Sequence, residues 1–219
     1  MSGSLALLTL LAVKPAQAQV SFGVDVASRY IWRGIDFGQA LSFQPGFSYA
    51  SGSFEVGAWG AYSNTGGGAN ELDLYASYSI ALGESSSLSI GVTDYYYPSA
   101  PGSFLTFDND GDHVIEPFVS YSGAFTLSAY MNVMNDPDNT VYLNAAFPFT
   151  VDDVELTFSL GVVPQESAWY GTTGAAIQDI GISASREIKI TESFSLPVFS
   201  SYIVNPHQEV SFLLFGLSL

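Results

Sequence analysis

Apolar and polar residues alternate one for one along most of this chain. Leu72, Leu74, Ala76, Tyr78, Ile80 and Leu82 interleave with Glu71, Asp73, Tyr75, Ser77, Ser79 and Ala81. Val154, Leu156, Phe158, Leu160 and Val162 interleave with Glu155, Thr157, Ser159 and Gly161. A side-chain period of two belongs to extended strands with one apolar and one wet face. The pattern predicts about twelve strands, near 20–32, 38–50, 53–63, 71–82, 87–97, 113–122, 124–134, 140–149, 154–163, 176–188, 193–204 and 209–219.

The connections between these strands alternate in character. Ser51-Gly52, Gly83 to Ser86, Ser122-Gly123, Val151 to Asp153 and Thr191-Glu192 are short. Arg33 to Phe37, Asn64 to Asn70, Pro98 to Asp112, Asn135 to Asn139, Pro164 to Gly174 and Asn205 to Gln208 are more varied and often longer. Sorting by parity in this way predicts an all-β fold, a transmembrane antiparallel up-and-down β-barrel. Its short turns face the periplasm, its loops face outward and its apolar face meets lipid.

Composition narrows the choice further. Charged residues make up 12% of the 219 positions, against about 25% in ordinary soluble domains. No apolar run approaches the ~20 residues of a membrane helix. A secreted β-sandwich and an outer-membrane barrel remain, and the parity of the loops favours the barrel. Leu5 to Val13 form an apolar stretch ending at Ala16-Gln17-Ala18, a small-x-small cleavage pattern, though no Lys or Arg precedes it. Residues 1–18 are therefore expected to be a removed signal peptide, and 19–219 the barrel. Cysteine is absent, as suits an exported chain whose closed sheet needs no disulfide staple. Without Lys14, only Arg29, Arg33, Arg186 and Lys189 are basic, and the chain is strongly acidic. That balance argues against nucleic acid as a partner.

Two further signals point to a membrane. The final strand carries Leu213, Phe215, Leu217 and Leu219 on one face, similar to the terminal strand read by the outer-membrane assembly machinery, although that signal usually ends in an aromatic residue. Tyr30, Trp32, Tyr49, Tyr62, Tyr95, Tyr96, Tyr97, Tyr121 and Tyr202 sit near strand ends, where aromatic girdles meet the lipid–water interface. Outer-membrane lipid and lipopolysaccharide are the expected surroundings.

Chemistry is expected on the inward face. Asp25, Arg29 and Arg33 are spaced by four, so all three fall on the inward side of the first strand. At about 3.3 Å per residue neighbours in this series lie about 13 Å apart, so each needs a partner on another strand. Glu55, Glu71, Asp73, Glu116, Glu155, Asp179 and Glu187 are inward by parity. They either brace a narrow barrel or, as a surplus of acid, favour cations in a pore. Trp59, Tyr75, Tyr130 and Tyr142 are also inward, placed to stack on a ligand ring or sugar or simply to fill volume.

Other candidates are weaker. Asp108-Asn109-Asp110-Gly111-Asp112 resembles part of a calcium loop without the required Glu, and a solvated acidic turn is the plainer reading. His113 and His207 lack a Gly-x-Ser-x-Gly partner, so a lipid hydrolase has little support. Gly66-Gly67-Gly68 reads as a loop tip. No cofactor or resident metal is expected.

Ser28-Arg29-Tyr30-Ile31-Trp32-Arg33-Gly34-Ile35 resembles the Ser-x-Tyr-x-x-Arg-Gly opening of the TorF porins, proteobacterial outer-membrane proteins. Gly46 to Tyr49, Phe54 to Gly60, Glu71 to Tyr75, Tyr96-Tyr97-Pro98 and Leu196-Pro197-Val198 fit the same layout. The resemblance is strongest over 22–98. It implies a small barrel in a Gram-negative outer membrane, and places Arg29 and Arg33 as inward structural or pore-lining residues. The expected function is passive, cation-preferring diffusion of small hydrophilic solutes, with a non-conducting anchor or adhesin as the alternative. The loop from Pro98 to Asp112 is the expected plug, if one exists. Expected pore-lining residues are Asp25, Arg29, Arg33, Glu55, Trp59, Asp73, Tyr75, Glu116, Tyr130 and Asp179.

Overall fold

The computed structural model describes residues 18–65, 70–98, 103–108 and 111–219. The leader up to residue 17, the Gly66–Gly68 tip and the middle of the acidic loop at Asn109 and Asp110 lie outside the described residues. The strands are β1 (Ala18–Ala27), β2 (Tyr30–Trp32), β3 (Ile35–Gly38), β4 (Ser42–Ser51), β5 (Phe54–Ser63), β6 (Glu71–Ala81), β7 (Ser87–Tyr96) and β8 (His113–Ser122). They continue with β9 (Thr126–Met131), β10 (Val141–Val151), β11 (Val154–Val163), β12 (Glu166–Ser167), β13 (Thr172–Thr173), β14 (Ala176–Lys189), β15 (Ser195–Asn205) and β16 (Val210–Ser218).

Twelve of these close an antiparallel barrel in the order β1-β16-β15-β14-β11-β10-β9-β8-β7-β6-β5-β4. β1 closes it on β16 through Asp25 opposite Ser218, Val26 opposite Leu217 and Ala27 opposite Gly216. Closure leaves no open sheet edge along the paired part of the seam, which is how an all-antiparallel sheet satisfies its backbone without a covering layer. The short turns gather with the two described chain ends at one end of the barrel, the turn end. The longer connections gather at the other, the loop end.

Parity decides which way each side chain faces. Phe22, Phe47, Phe54, Tyr78, Leu127, Phe147, Leu213 and Phe215 stand outward and exposed, Phe22 at 78% and both Leu213 and Phe215 at 64%. The inward rows hold Ser, Gly, Gln and carboxylates. The buried set is correspondingly polar: Glu71, Asp73, His113, Glu116, Asn132, Asp136, Gln178, Asp179 and Asn205 are all 7% exposed or less. A soluble sandwich would invert this, hiding its large apolar side chains and wetting its polar ones.

The first connection departs from the alternation. Residues 28–32 do not continue the first strand; β1 ends at Ala27, and the chain turns inward into the hairpin β2–β3. Arg33 and Gly34 form its two-residue turn with φ of 46° and 74°, the left-handed pair that matches strand twist in tight hairpins. Arg33 therefore sits at a hairpin tip, not on the barrel wall beside Asp25. Tyr30 and Trp32, expected in a lipid-facing girdle, are lumen residues for the same reason. Tyr49, Tyr62 and Tyr202 do face outward and are 38%, 43% and 48% exposed.

Candidate functional site

The hairpin plugs the loop end of the lumen, and Arg33 locks it there. Its Nη1 donates to Glu116 Oε2 at 2.7 Å and its Nη2 to Glu116 Oε1 at 2.8 Å, a two-pronged pair with β8. Nη1 also donates to the Tyr170 hydroxyl at 2.9 Å. The guanidinium lies 4.3 Å from the Trp32 ring centroid, 4.3 Å from Tyr130 and 4.2 Å from Tyr142. Planar charge, a matching carboxylate fork and aromatic faces are the combination that a guanidinium fills and an ammonium does not. Burial alone would weaken the guanidinium's hold on its proton, but Tyr170 and Glu116 outweigh it, so Arg33 stays charged.

The backbone of the tip is held too. Gln178 Nε2 donates to the Arg33 carbonyl at 3.2 Å, and Asn205 Nδ2 donates to the Gly34 carbonyl at 3.2 Å. Gln178 reaches inward because a register shift opposite Gly161 and Val162 inserts one extra residue in β14. The bulge therefore turns Gln178 and Asp179 to the same side. At Gly34 an added Cβ would come 2.8 Å from the Gln178 carbonyl. Only glycine combines this φ with so close an approach.

Aromatic stacking seals the base of the hairpin. Tyr30 packs on Trp59 at 5.3 Å and on Phe37 at 5.3 Å. Trp32 stacks on Tyr170 at 5.9 Å, and Phe37 on Tyr97 at 6.4 Å. Arg29 pairs with Asp36 inside the same hairpin at 3.2 Å. Tyr30 and Tyr97 both donate to Glu71 Oε1, at 3.3 and 3.4 Å. Burial pushes the Tyr97 and Tyr170 phenols upward, so both remain neutral, Tyr97 donating to Glu71 and Tyr170 accepting from Arg33.

The residues singled out from sequence fall into two groups. Arg33, Glu116, Tyr130, Asp73 and Asp179 surround the plug; Asp179 accepts from the Tyr142 hydroxyl at 2.7 Å. Glu71 Oε2 and Asp73 Oδ1 are buried oxygens with no hydrogen-bond partner among the described residues. Asp25, Glu55 and Tyr75 instead belong to the hollow turn end, and Trp59 stands between the two, packed on Tyr30 of the hairpin and bordering the hollow. There a cavity of about 570 Å³ is lined by Asp25, Gln44, Ser48, Trp59 and Tyr75 among others. Arg29 belongs to the hairpin and lines neither wall.

The segment seen to fold inward is 28–41. Of the loop from Pro98 to Asp112, residues 99–102, 109 and 110 lie outside the described residues; its described part packs on His113, whose Nδ1 meets Asp94 at 2.8 Å and whose Nε2 meets the Phe104 carbonyl at 3.1 Å. Tyr170, Gln178 and Asn205 escaped the sequence reading. Gln178 breaks parity only because of the bulge, and Tyr170 lies in a loop without periodicity.

Comparison with known proteins adds fold and family. The chain is similar to a chain solved in work on the in-meso crystallization of membrane proteins, with a TM-score of 0.55 and 9% identity over 93% of this chain and 83% of that one. At that identity the likeness speaks for the barrel fold. No curated protein matches. Residues 12–197 match the family model Gcw_chp, described as a bacterial protein of unknown function, and the chain belongs to that family.

Proposed function

We propose that this protein spans the outer membrane of a Gram-negative bacterium as a narrow, plugged channel for small hydrophilic solutes, with the β2–β3 hairpin as its gate. The observation that carries this reading is the inversion of the sheet, with large apolar side chains outside and carboxylates, amides and hydroxyls within. Such a sheet is at lowest free energy in a bilayer with a wet interior. Likeness of residues 22–98 to the TorF porins supports the same reading, as does the leader pattern at 1–18. Passage requires the hairpin to leave its seat. It would run down the solute gradient and involve no catalytic step.

Cation preference follows from the interior charge. Asp25 and Glu55 face the open half of the lumen, and in the plug compartment the Glu116 charge is already paired with Arg33. Rings of carboxylates favour cations in a pore.

The Arg33 clamp favours a second reading, a barrel that never conducts. Planar-bilayer recording separates the two. Under the channel reading the wild type gives small, infrequent openings, Arg33→Ala raises open probability, and the reversal potential in a KCl gradient has the sign of a cation pore. A bilayer that stays sealed at high loads of both proteins overturns the channel, and an anion-selective current overturns the charge argument.

A further inference from the structure

We propose that the cavity at the turn end of the lumen is a sugar-binding subsite, which takes a pyranose with its apolar face on Trp59 and Tyr75. This deepens the channel reading and rests on it for the route by which the sugar arrives.

The four inward aromatics do not share one role. Tyr130 and Tyr142 are covered by the Arg33 guanidinium and occupy the plugged half. Trp59, packed against Tyr30 of the hairpin at 5.3 Å, and Tyr75 border open space of about 570 Å³, which reaches the β1–β16 seam at Phe22, Phe47 and Leu219 and is within the range of small-molecule sites. Both rings lie along the wall because the residues beside them are glycines. Gly46 is opposite Trp59 across β4 and β5, and Gly57 is opposite Tyr75 across β5 and β6. A Cβ at Gly57 would run into the Tyr75 ring, and a Cβ at Gly46 would stand 3.8 Å from Trp59 Cδ1. Laid over glycine, each ring leaves the lumen free. A ring face of this kind suits a solute with one apolar surface.

Around these rings the polar groups are mixed. The lining adds the Asp25 carboxylate, the Gln44 amide and the hydroxyls of Ser21, Ser48 and Ser218. Gln44 Nε2 is oriented by Ser42 Oγ at 3.2 Å, and the Tyr75 hydroxyl donates to Glu55 Oε1 at 3.2 Å. A site for an organic cation needs acceptors and aromatic faces only. Amide and hydroxyl donors beside a carboxylate match a ligand whose hydroxyls both give and accept hydrogen bonds. A neutral sugar has that inventory, and its carbon-bound hydrogens gather on one face of the ring.

Saturation-transfer NMR on the full chain in lauryldimethylamine oxide micelles, which carry no sugar headgroup, tests this with glucose and maltose as probes. The expected result is saturable binding, with strongest transfer to the hydrogens of one pyranose face. Gln44→Ala and Asp25→Asn each weaken it about tenfold, the cost of one lost hydrogen bond to a polar or charged group. Tyr75→Ala removes the one-sided transfer pattern. The inference is overturned if neither sugar binds saturably, if transfer falls evenly on all hydrogens, or if choline or spermidine binds where sugars do not. The wild-type pattern is decisive even where a variant fails to fold. Sugar binding beside a sealed bilayer would overturn the channel and leave the subsite; conduction without sugar binding would do the reverse.

Discussion

The Arg33 guanidinium and the Glu116 carboxylate, 83 positions apart in the chain, meet in a two-pronged ion pair of 2.7 and 2.8 Å inside the barrel. Arg33 is at the hairpin tip and Glu116 on β8, so the pair ties the plug to the wall. Their side chains are 10% and 2% exposed. A charge buried this deeply is costly without its partner, whatever the net worth of the pair.

Removing one partner should therefore cost more than removing both. Arg33→Ala leaves the Glu116 charge buried and is expected to destabilise the folded barrel by about 3–5 kcal/mol. Adding Glu116→Gln to it should recover part of that loss. Urea unfolding in lipid vesicles over the four-member mutant cycle measures the coupling, and additive losses would show that the two side chains act independently.

Freeing the hairpin tip should open the channel. Gln178 Nε2 and Asn205 Nδ2 hold the Arg33 and Gly34 carbonyls at 3.2 Å each. The double variant Gln178→Ala, Asn205→Ala is expected to open more often than the wild type in planar bilayers. Unchanged openings would mean that solutes pass without the hairpin moving.

The direction of the outer face can be tested with one charge. Phe215 is outward on β16 and 64% exposed, so Phe215→Arg puts a guanidinium in hydrocarbon. The expected cost is about 2–4 kcal/mol if the site lies near the bilayer midplane. Folding yield into vesicles, compared with Ser201→Arg on the inward face of β15, reports it. Equal yields would contradict the lipid-facing assignment.

Gly57 should tolerate no side chain, whereas Gly83 should. A Cβ at Gly57 meets the Tyr75 ring and lies 2.6 Å from the Phe47 carbonyl, whereas at Gly83 its nearest neighbour is Ser86 Oγ at 3.7 Å. Gly57→Ala is expected to lose about 1–3 kcal/mol by overpacking. Gly83→Ala should stay within about 0.5 kcal/mol of wild type. Thermal melts followed by the heat-modified gel shift compare them.

The strands were legible in the sequence because their signal is local. Successive side chains on an extended backbone point to opposite faces, so Leu72 and Asp73 declare their sides without reference to any other strand. The parity of the loops then follows from antiparallel pairing. Glu71, Asp73, Glu116 and Asp179 could be placed inward on that basis, and inward they are. Arg33 could not. Period two carries no information once the backbone leaves the sheet, and extending the first strand through residue 32 put Arg29 and Arg33 on a wall that ends at Ala27. One local sign was present: Arg33-Gly34 between Trp32 and Ile35 is a turn set in apolar residues, too greasy for a solvated loop.

The sequence by itself thus determined that this chain is a barrel, that about twelve strands make its wall and which of their rows face inward, because the alternation that reports this is read from neighbours one or two residues away. Where the first connection goes was decided by contacts across the lumen, with Glu116 on β8, Tyr170 in a loop, Gln178 on a bulge and Asn205 on β15. Those partners are brought together only when the sheet closes. Closure is also what divides the interior into a sealed half around Arg33 and an open half around Trp59 and Tyr75.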